Sequence, residues 1–323
     1  MAWGYAAPLM IEAALENRVF DVLAGTGKTL DEVVSETGAS RRGLRALLDA
    51  LLALTLLEKD GDHYKLAHDV DAFLVSGKAS FFGGMLQHTT RQILTSWLQL
   101  SEVVRTGKPS TAVNREDQGG LFFHDFVESL FPMSYPAAQA LADALIPADG
   151  AAPIRILDLA TGSGVWSVGL AQKNPHVEAT CVDWPEVIPV TRAISDRFGL
   201  ADRFRFVEGD IQDVDFGSGY QVATLGHILH SEGEARSRRL LKKVYSALAP
   251  GGTIAIAEMI PDADRSGPPF ALIFGVNMLV NTEEGDVFSF EQIRSWLEEI
   301  GFVNVRTLEV PAPSPLVLAD RPS

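Results

Sequence analysis

The chain has 323 residues, 46% of them hydrophobic and 21% charged, a globular composition with length enough for two domains and a sizeable core. A formal net charge of −15 argues against nucleic acid, whose phosphates need a basic face, and no apolar run approaches the roughly 18 residues of a membrane span. The single cysteine, Cys181, excludes an intrachain disulfide, and Met1 to Met10 carries no positively charged leader, so a reducing, cytoplasmic compartment is expected.

From Pro8 to Leu23 the apolar residues repeat with the period of one amphipathic helix. Thr29 to Thr37 opens on a capping box formed by Thr29 and Glu32, and Arg41 to Leu57 is a long, leucine-rich helix. Glu58 to Leu66 then reads as two short strands about Asp60-Gly61, which completes a winged-helix outline. Such folds often bind DNA through the last helix, and Arg41, Arg42 and Arg45 invite that reading. Leu44, Leu47, Leu48, Leu51 and Leu52 on other faces, with the acidic balance, make the arginines a solvated edge instead, and no nucleic-acid partner is expected.

Phe81 to Ile146 continues as helices rich in large apolar residues, among them Met85, Trp97, Phe122, Phe123, Phe126, Phe131 and Met133. Some belong to a core; others suit the wall of an apolar pocket for a flat substrate. Exposed loops are expected at Gly107 to Ser110 and Asn114 to Gly120, and Pro147 to Pro153 reads as a hinge. The expected division is therefore 1–105, 106–150 and 151–323.

The stretch Ile154 to Gly164, IRILDLATGSG, reads as a buried strand ending in a glycine turn that opens a helix over Val165 to Lys173. A second strand, Val177 to Val182, ends at Asp183, nineteen residues after Gly164, where a doubly wound sheet places a ribose-binding carboxylate. Phe204 to Val207 ends in Glu208-Gly209-Asp210, and Gln221 to Leu225 forms a fourth strand. Strands alternating with helices make an α/β fold whose strand tips meet one nucleoside-shaped ligand. Ser167, in place of a third fingerprint glycine, weighs against nicotinamide, and the absence of G-x-x-x-x-G-K-[ST] weighs against a triphosphate.

After the fourth strand, His227 and His230 fall on the ligand-facing edge. A histidine there is suited to removing a proton near neutral pH; a hydrogen-bonded structural role is the alternative for both, and carries more weight for His227 than for His230. Phe270 to Val280 presents Phe270, Phe274, Asn277 and Met278 at helical spacing, a cover for a largely apolar, aromatic acceptor.

D-x-A-x-G-x-G from Asp158, then Asp183, Asp210 and ALAPGGTIAIAE from Ala247, resemble in this order the S-adenosylmethionine site of class I methyltransferases. From Ile154 to Phe302 the chain resembles the small-molecule O-methyltransferases that include plant caffeate and acetylserotonin enzymes and bacterial polyketide-tailoring enzymes. The helical start matches their winged-helix dimerisation domain. The resemblance implies a Rossmann-like doubly wound sheet, a homodimer, and S-adenosylmethionine as cofactor. It implies cofactor contacts from Gly162, Gly164, Asp183, Trp184, Asp210, Ile211 and Gly226. His230 takes the place of the family's general base, flanked by Glu258 and by Asp286, with Glu283 and Glu284 as alternatives for the second acid. Asn281 matches a substrate-orienting asparagine, and Met133 a methionine beside the reactive methyl. No metal is implied; a metal-assisted variant would use His227, His230 and Glu258.

The chain departs from the family at three points: His-Asp-Trp is His230-Ser231-Glu232, the first turn glycine is Ala160, and a cofactor-contacting lysine is Gly226. C- or N-methylation, a non-methylating reaction on the same fold, and an S-adenosylmethionine-sensing regulator remain alternatives at this point.

Overall fold

The computed structural model describes residues 2–78, 80–124, 126–147 and 152–323, and the chain divides into two units, 1–95 and 96–323. In the first, the expected helix Pro8 to Leu23 is two: α1 (Ala6–Glu16) and α2 (Val19–Leu23). Arg18 adopts a left-handed backbone, φ 56°, and the Asn17 side chain donates to the Ala13 carbonyl, which closes α1. The break turns Val19, Phe20, Val22 and Leu23 all into the core, which one straight helix cannot do.

β1 (Lys28–Thr29) precedes α3 (Leu30–Thr37), where the capping box forms as expected: the Glu32 N–H donates to the Thr29 hydroxyl, and the Glu32 carboxylate accepts from the Thr29 N–H at 2.7 Å. α4 (Arg41–Ala53) stops short of Leu57 because Thr55, at φ 59°, turns the chain into β2 (Leu57–Asp60). Gly61 then reverses it into β3 (His63–Leu66), and the antiparallel order is β1-β3-β2. Leu44, Leu48 and Leu51 of α4 are buried while Arg41, Arg42 and Arg45 are exposed. α5 (His68–Leu74) and α6 (Gly83–His88) follow, and α7 (Leu94–Trp97) carries the chain into the second unit.

That unit begins with α8 (Leu100–Thr106), α9 (Glu116–His124) and α10 (Val127–Leu145). Most of the expected loop Asn114 to Gly120 is thus helical. Its two glycines are packing residues rather than breakers: a Cβ on Gly119 would collide with the Trp184 ring and the Val113 carbonyl, and one on Gly120 with the Glu186 carboxylate. The expected hinge lies partly outside the described residues, which omit 148–151.

The sheet follows: β4 (Ile154–Leu159), α11 (Val165–Lys173), β5 (Val177–Asp183), α12 (Ile188–Arg197), β6 (Phe204–Glu208), β7 (Tyr220–Gly226), α13 (Leu229–Ala247), β8 (Leu248–Ala257), α14 (Pro269–Asn281), α15 (Phe290–Ile300), β9 (Val303–Leu308) and β10 (Leu316–Asp320). Its order is β6-β5-β4-β7-β8-β10-β9, parallel through β8, with β10 antiparallel to both neighbours. Alternate residues of the buried strands enter opposite cores, Ile156 with α10 and α11 and Leu157 with α13 and α15.

From β4 the chain winds outward through β5 and β6, then returns to β7 on the other side, so the switch point lies between β4 and β7. The register aligns the strand ends there: Leu159 lies opposite Val182 and Leu225, Asp183 opposite Glu208, and Gly226 opposite Ala257. Among the described residues no helix is long and apolar enough to cross a membrane.

Candidate active site

The turn after β4 is built around a buried carboxylate. Asp158 accepts from the hydroxyls of Thr161 at 2.9 Å, Ser167 at 2.7 Å and Thr224 at 2.8 Å, which ties the turn to α11 and β7. Burial pushes the pKa of Asp158 up, against the pull of these donors. Ala160, Gly162 and Gly164 have φ of 51°, 53° and 71°, so the departure at Ala160 keeps the left-handed backbone without the glycine. Asp183 accepts from the N–H of Gly162 at 2.7 Å and of Trp184 at 2.8 Å. Its pKa is pushed up to about 6, by burial first, with the two N–H groups pulling the other way.

Above this turn lies a cavity that opens to solvent. Gly162, Asp183, Trp184, Asp210, Ile211 and Gly226 all line it; Gly164 does not, and instead opens α11, where a Cβ would press on the Thr191 methyl group. The opposite wall, unforeseen in the sequence, comes from Val127, Leu130 and Ser134 of α10, with Trp166. Only the general apolarity of Phe81 to Ile146 pointed there.

The substituted His-Ser-Glu string shapes the same cavity. Buried Glu232 accepts from Arg236 Nε at 2.8 Å and Gln212 Nε2 at 2.7 Å, and Arg236 also reaches Asp210 at 3.3 Å. The carboxylate in the tryptophan's place thereby anchors the guanidinium that steadies Asp210.

His230 sits at the start of α13 and is 8% exposed. Its Nδ1 lies 2.7 Å from Glu258 Oε2, and its N–H donates to Oε1 at 3.1 Å, so one carboxylate fixes both ring and backbone. Burial pushes Glu258 up, but the His230 ring and hydrogen bonds, with His227, more than offset this and leave its pKa below the ordinary value. Phe274 meets the His230 ring edge-on, centroids 4.9 Å apart. A nitrogen from each of His227 and His230 and a Glu258 oxygen lie within 4.8 Å of one another. Both Glu258 oxygens are already engaged by His230, which fits a hydrogen-bonded pair better than a metal centre.

Other expected residues are placed differently. The Asp286 carboxylate pairs with Arg265 at 3.1 Å and is half exposed; it meets His230 through its backbone, whose N–H donates to the His230 carbonyl at 2.9 Å. Glu283 pairs with Arg115. Asn277 accepts from Trp97 Nε1 at 2.9 Å and from Asn281 Nδ2 at 2.9 Å, while Asn281 also accepts from Thr111. These amides brace α14 rather than line either of the cavities described here. Met278 is buried, Phe270 is half exposed, and Met133 lines a second, smaller cavity.

A parallel sheet with its last strand reversed, a switch-point cavity and strand-end acids define the class I methyltransferase fold. The comparisons narrow it. The family model for an O-methyltransferase domain matches residues 140–303, and that for an O-methyltransferase dimerisation domain matches 1–76. The chain is 31% identical to 3-hydroxy-5-methyl-1-naphthoate 3-O-methyltransferase of Streptomyces sahachiroi over 97% of its length and 91% of the relative's. It is 30% identical to the tetracenomycin polyketide synthesis 8-O-methyl transferase TcmO of Streptomyces glaucescens, covering 96% and 92%. Human N-acetylserotonin methyltransferase, solved in complex with SAM, superposes with a TM-score of 0.87 at 24% identity, covering 100% of this chain and 96% of that one. The chain belongs to the small-molecule O-methyltransferase family.

Proposed function

We propose that this enzyme, a homodimer joined through its N-terminal unit, transfers a methyl group from S-adenosylmethionine to a hydroxyl of an aromatic or polyketide-like small molecule, with His230 as general base. The observation that carries the reading is the His230–Glu258 pair at the strand edge that also bears the large cavity. The cavity suits an adenosyl ligand: each Asp183 oxygen accepts one N–H and keeps a lone pair for a ribose hydroxyl. Trp184 and Ile211 offer apolar surface, and Asp210 an acceptor for the adenine edge. When bound, the cofactor supplies a methyl carbon made electrophilic by a positively charged sulfur.

The protein's own part is to hold the acceptor oxygen in line and to take its proton. With Nδ1–H donating to Glu258, Nε2 of His230 keeps the lone pair that accepts the hydroxyl proton, and the carboxylate then stabilises the imidazolium. Asp286 contributes by anchoring the His230 backbone.

The test is to follow labelled methyl from the cofactor into a panel of phenols and enolised ketones. His230→Ala should lower kcat by about 10² to 10⁴ while leaving cofactor affinity unchanged. Full turnover of that variant at neutral pH would mean that proximity alone suffices.

A further inference from the structure

The loop after β6 is held from behind by a closed ring of hydrogen bonds. One oxygen of Glu232, Oε2, accepts both from Gln212 Nε2 at 2.7 Å and from Arg236 Nε at 2.8 Å. Each of these partners then reaches one oxygen of Asp210: the Gln212 backbone N–H donates to Oδ1 at 2.8 Å, and Arg236 Nη2 to Oδ2 at 3.3 Å. Both Asp210 oxygens are thus fixed by groups that Glu232 gathers. Asp210 and Glu232 line the cavity above the β4 turn, whereas Gln212 and Arg236 stand behind its lining and can act on a ligand there only through the two acids.

As a device for stability the ring is a poor choice. Glu232 is 3% exposed, and a charge that deep is tolerated only while it stays paired; apolar residues of similar volume commonly serve stability as well or better. Nor is this the ordinary ion pair of a helix face, because Gly233, at φ 71° and ψ 170°, interrupts α13 between Glu232 and Arg236. What a satisfied buried ring does supply is a single orientation, here that of the Asp210 carboxylate.

We propose that Arg236 and Gln212 are positioning residues for cofactor specificity: held by Glu232, they keep Asp210 aimed at the 6-amino group of the cofactor's adenine and stop it from turning to suit a 6-oxopurine. The inference rests on the adenosyl ligand proposed above and adds how this chain selects its purine. Adenine offers an N–H donor at position 6. Hypoxanthine offers a carbonyl oxygen there and carries its hydrogen on the neighbouring ring nitrogen, N1. A carboxylate fixed on position 6 meets that carbonyl as acceptor against acceptor; one free to turn can follow the hydrogen to N1 and take both purines.

The test measures binding of S-adenosylhomocysteine and S-inosylhomocysteine to the full chain by calorimetry, with folded content checked by circular dichroism. Wild type should prefer the adenosyl ligand by about 100-fold or more, and Asp210→Asn should cut that preference to within about three-fold. Arg236→Met, which keeps an apolar stem and loses the charged fork, should reduce the preference about ten-fold or more. That variant leaves Glu232 buried without its cation, so the double variant Glu232→Gln, Arg236→Met serves as the second measurement. It removes the orphaned charge and should show the same reduced preference to within about three-fold.

A wild-type preference retained in both variants, or a loss of affinity equal for the two ligands, would overturn the assignment and make the ring a structural support only. A preference that the double variant regains would trace the loss to the stranded charge of Glu232 instead of the aim of Asp210, and overturn it too. If wild type binds neither ligand, the adenosyl reading of the cavity itself fails. If wild type binds both equally well, that reading stands and this inference alone is lost.

Discussion

Asp183 shows at the scale of one residue how a binding group is poised. Unfolded, its carboxyl titrates near 3.9, about the value of a free aspartate; folded, burial lifts it to about 6. Between those values the native state holds a proton that the unfolded chain has lost. The contribution of this residue to the stability of the ligand-free protein therefore falls as pH rises from about 4 to 6, then levels, by about 2 to 3 kcal/mol in all. A ribose diol donating to the carboxylate favours its charged form, so binding must pull the pKa back down and expel the proton. Affinity for S-adenosylhomocysteine should climb between roughly pH 5 and 7 and then flatten. Calorimetry near pH 6 in two buffers of different ionisation enthalpy should report proton release on binding, and Asp183→Asn should abolish it. Proton uptake, or release undiminished in the variant, would move the titrating group elsewhere.

Elements were legible where local and tertiary signals agree. The buried strands β4, β5 and β7, with the strand-end acids Asp183 and Asp210, stand out in the sequence because burial on both faces demands unbroken apolar runs. The His230–Glu258 pairing was implied by the family resemblance, and in the structure the aligned ends of β7 and β8 bring the two side chains within 2.7 Å. What stayed hidden depended on partners far away in the chain. The glycines of α9 look like breakers until Trp184 and Glu186 are seen against them, and Asp286, which the family resemblance puts beside the base, spends its carboxylate on Arg265.

The pair Gly226 and Trp166 is of the same kind. A Cβ at the end of β7 would collide with the Trp166 indole nitrogen on α11, so the lysine that the family resemblance places at this position has no room here. Gly226→Ala should cost about 1 to 3 kcal/mol of stability, the usual range for overpacking a buried site. Because the clash is with one side chain, the double variant Gly226→Ala, Trp166→Ala should lose less than the sum of the two singles by more than about 0.5 kcal/mol in denaturant titrations. Strict additivity would show that the strain is relieved somewhere else.

At the scale of the whole molecule, association has to overcome charge. Two copies, each with a formal charge of −15, repel one another, and that repulsion weakens as salt shortens its range to about 10 Å at 0.1 M. The N-terminal unit, which matches a dimerisation domain, exposes Trp3, Tyr5 and Leu9 at and before the start of α1, with the Trp3 and Tyr5 rings stacked 6.1 Å apart. Burying such a patch supplies attraction that salt does not screen. If this apolar surface holds the proposed homodimer, raising the salt from about 20 to 300 mM should leave the dimer intact or tighten it. Trp3→Glu with Leu9→Glu should yield monomers in sedimentation velocity without changing the folded content by circular dichroism. A dimer that loosens as salt rises would be held by ion pairs between copies instead. One that survives both substitutions would be joined through another surface of the chain.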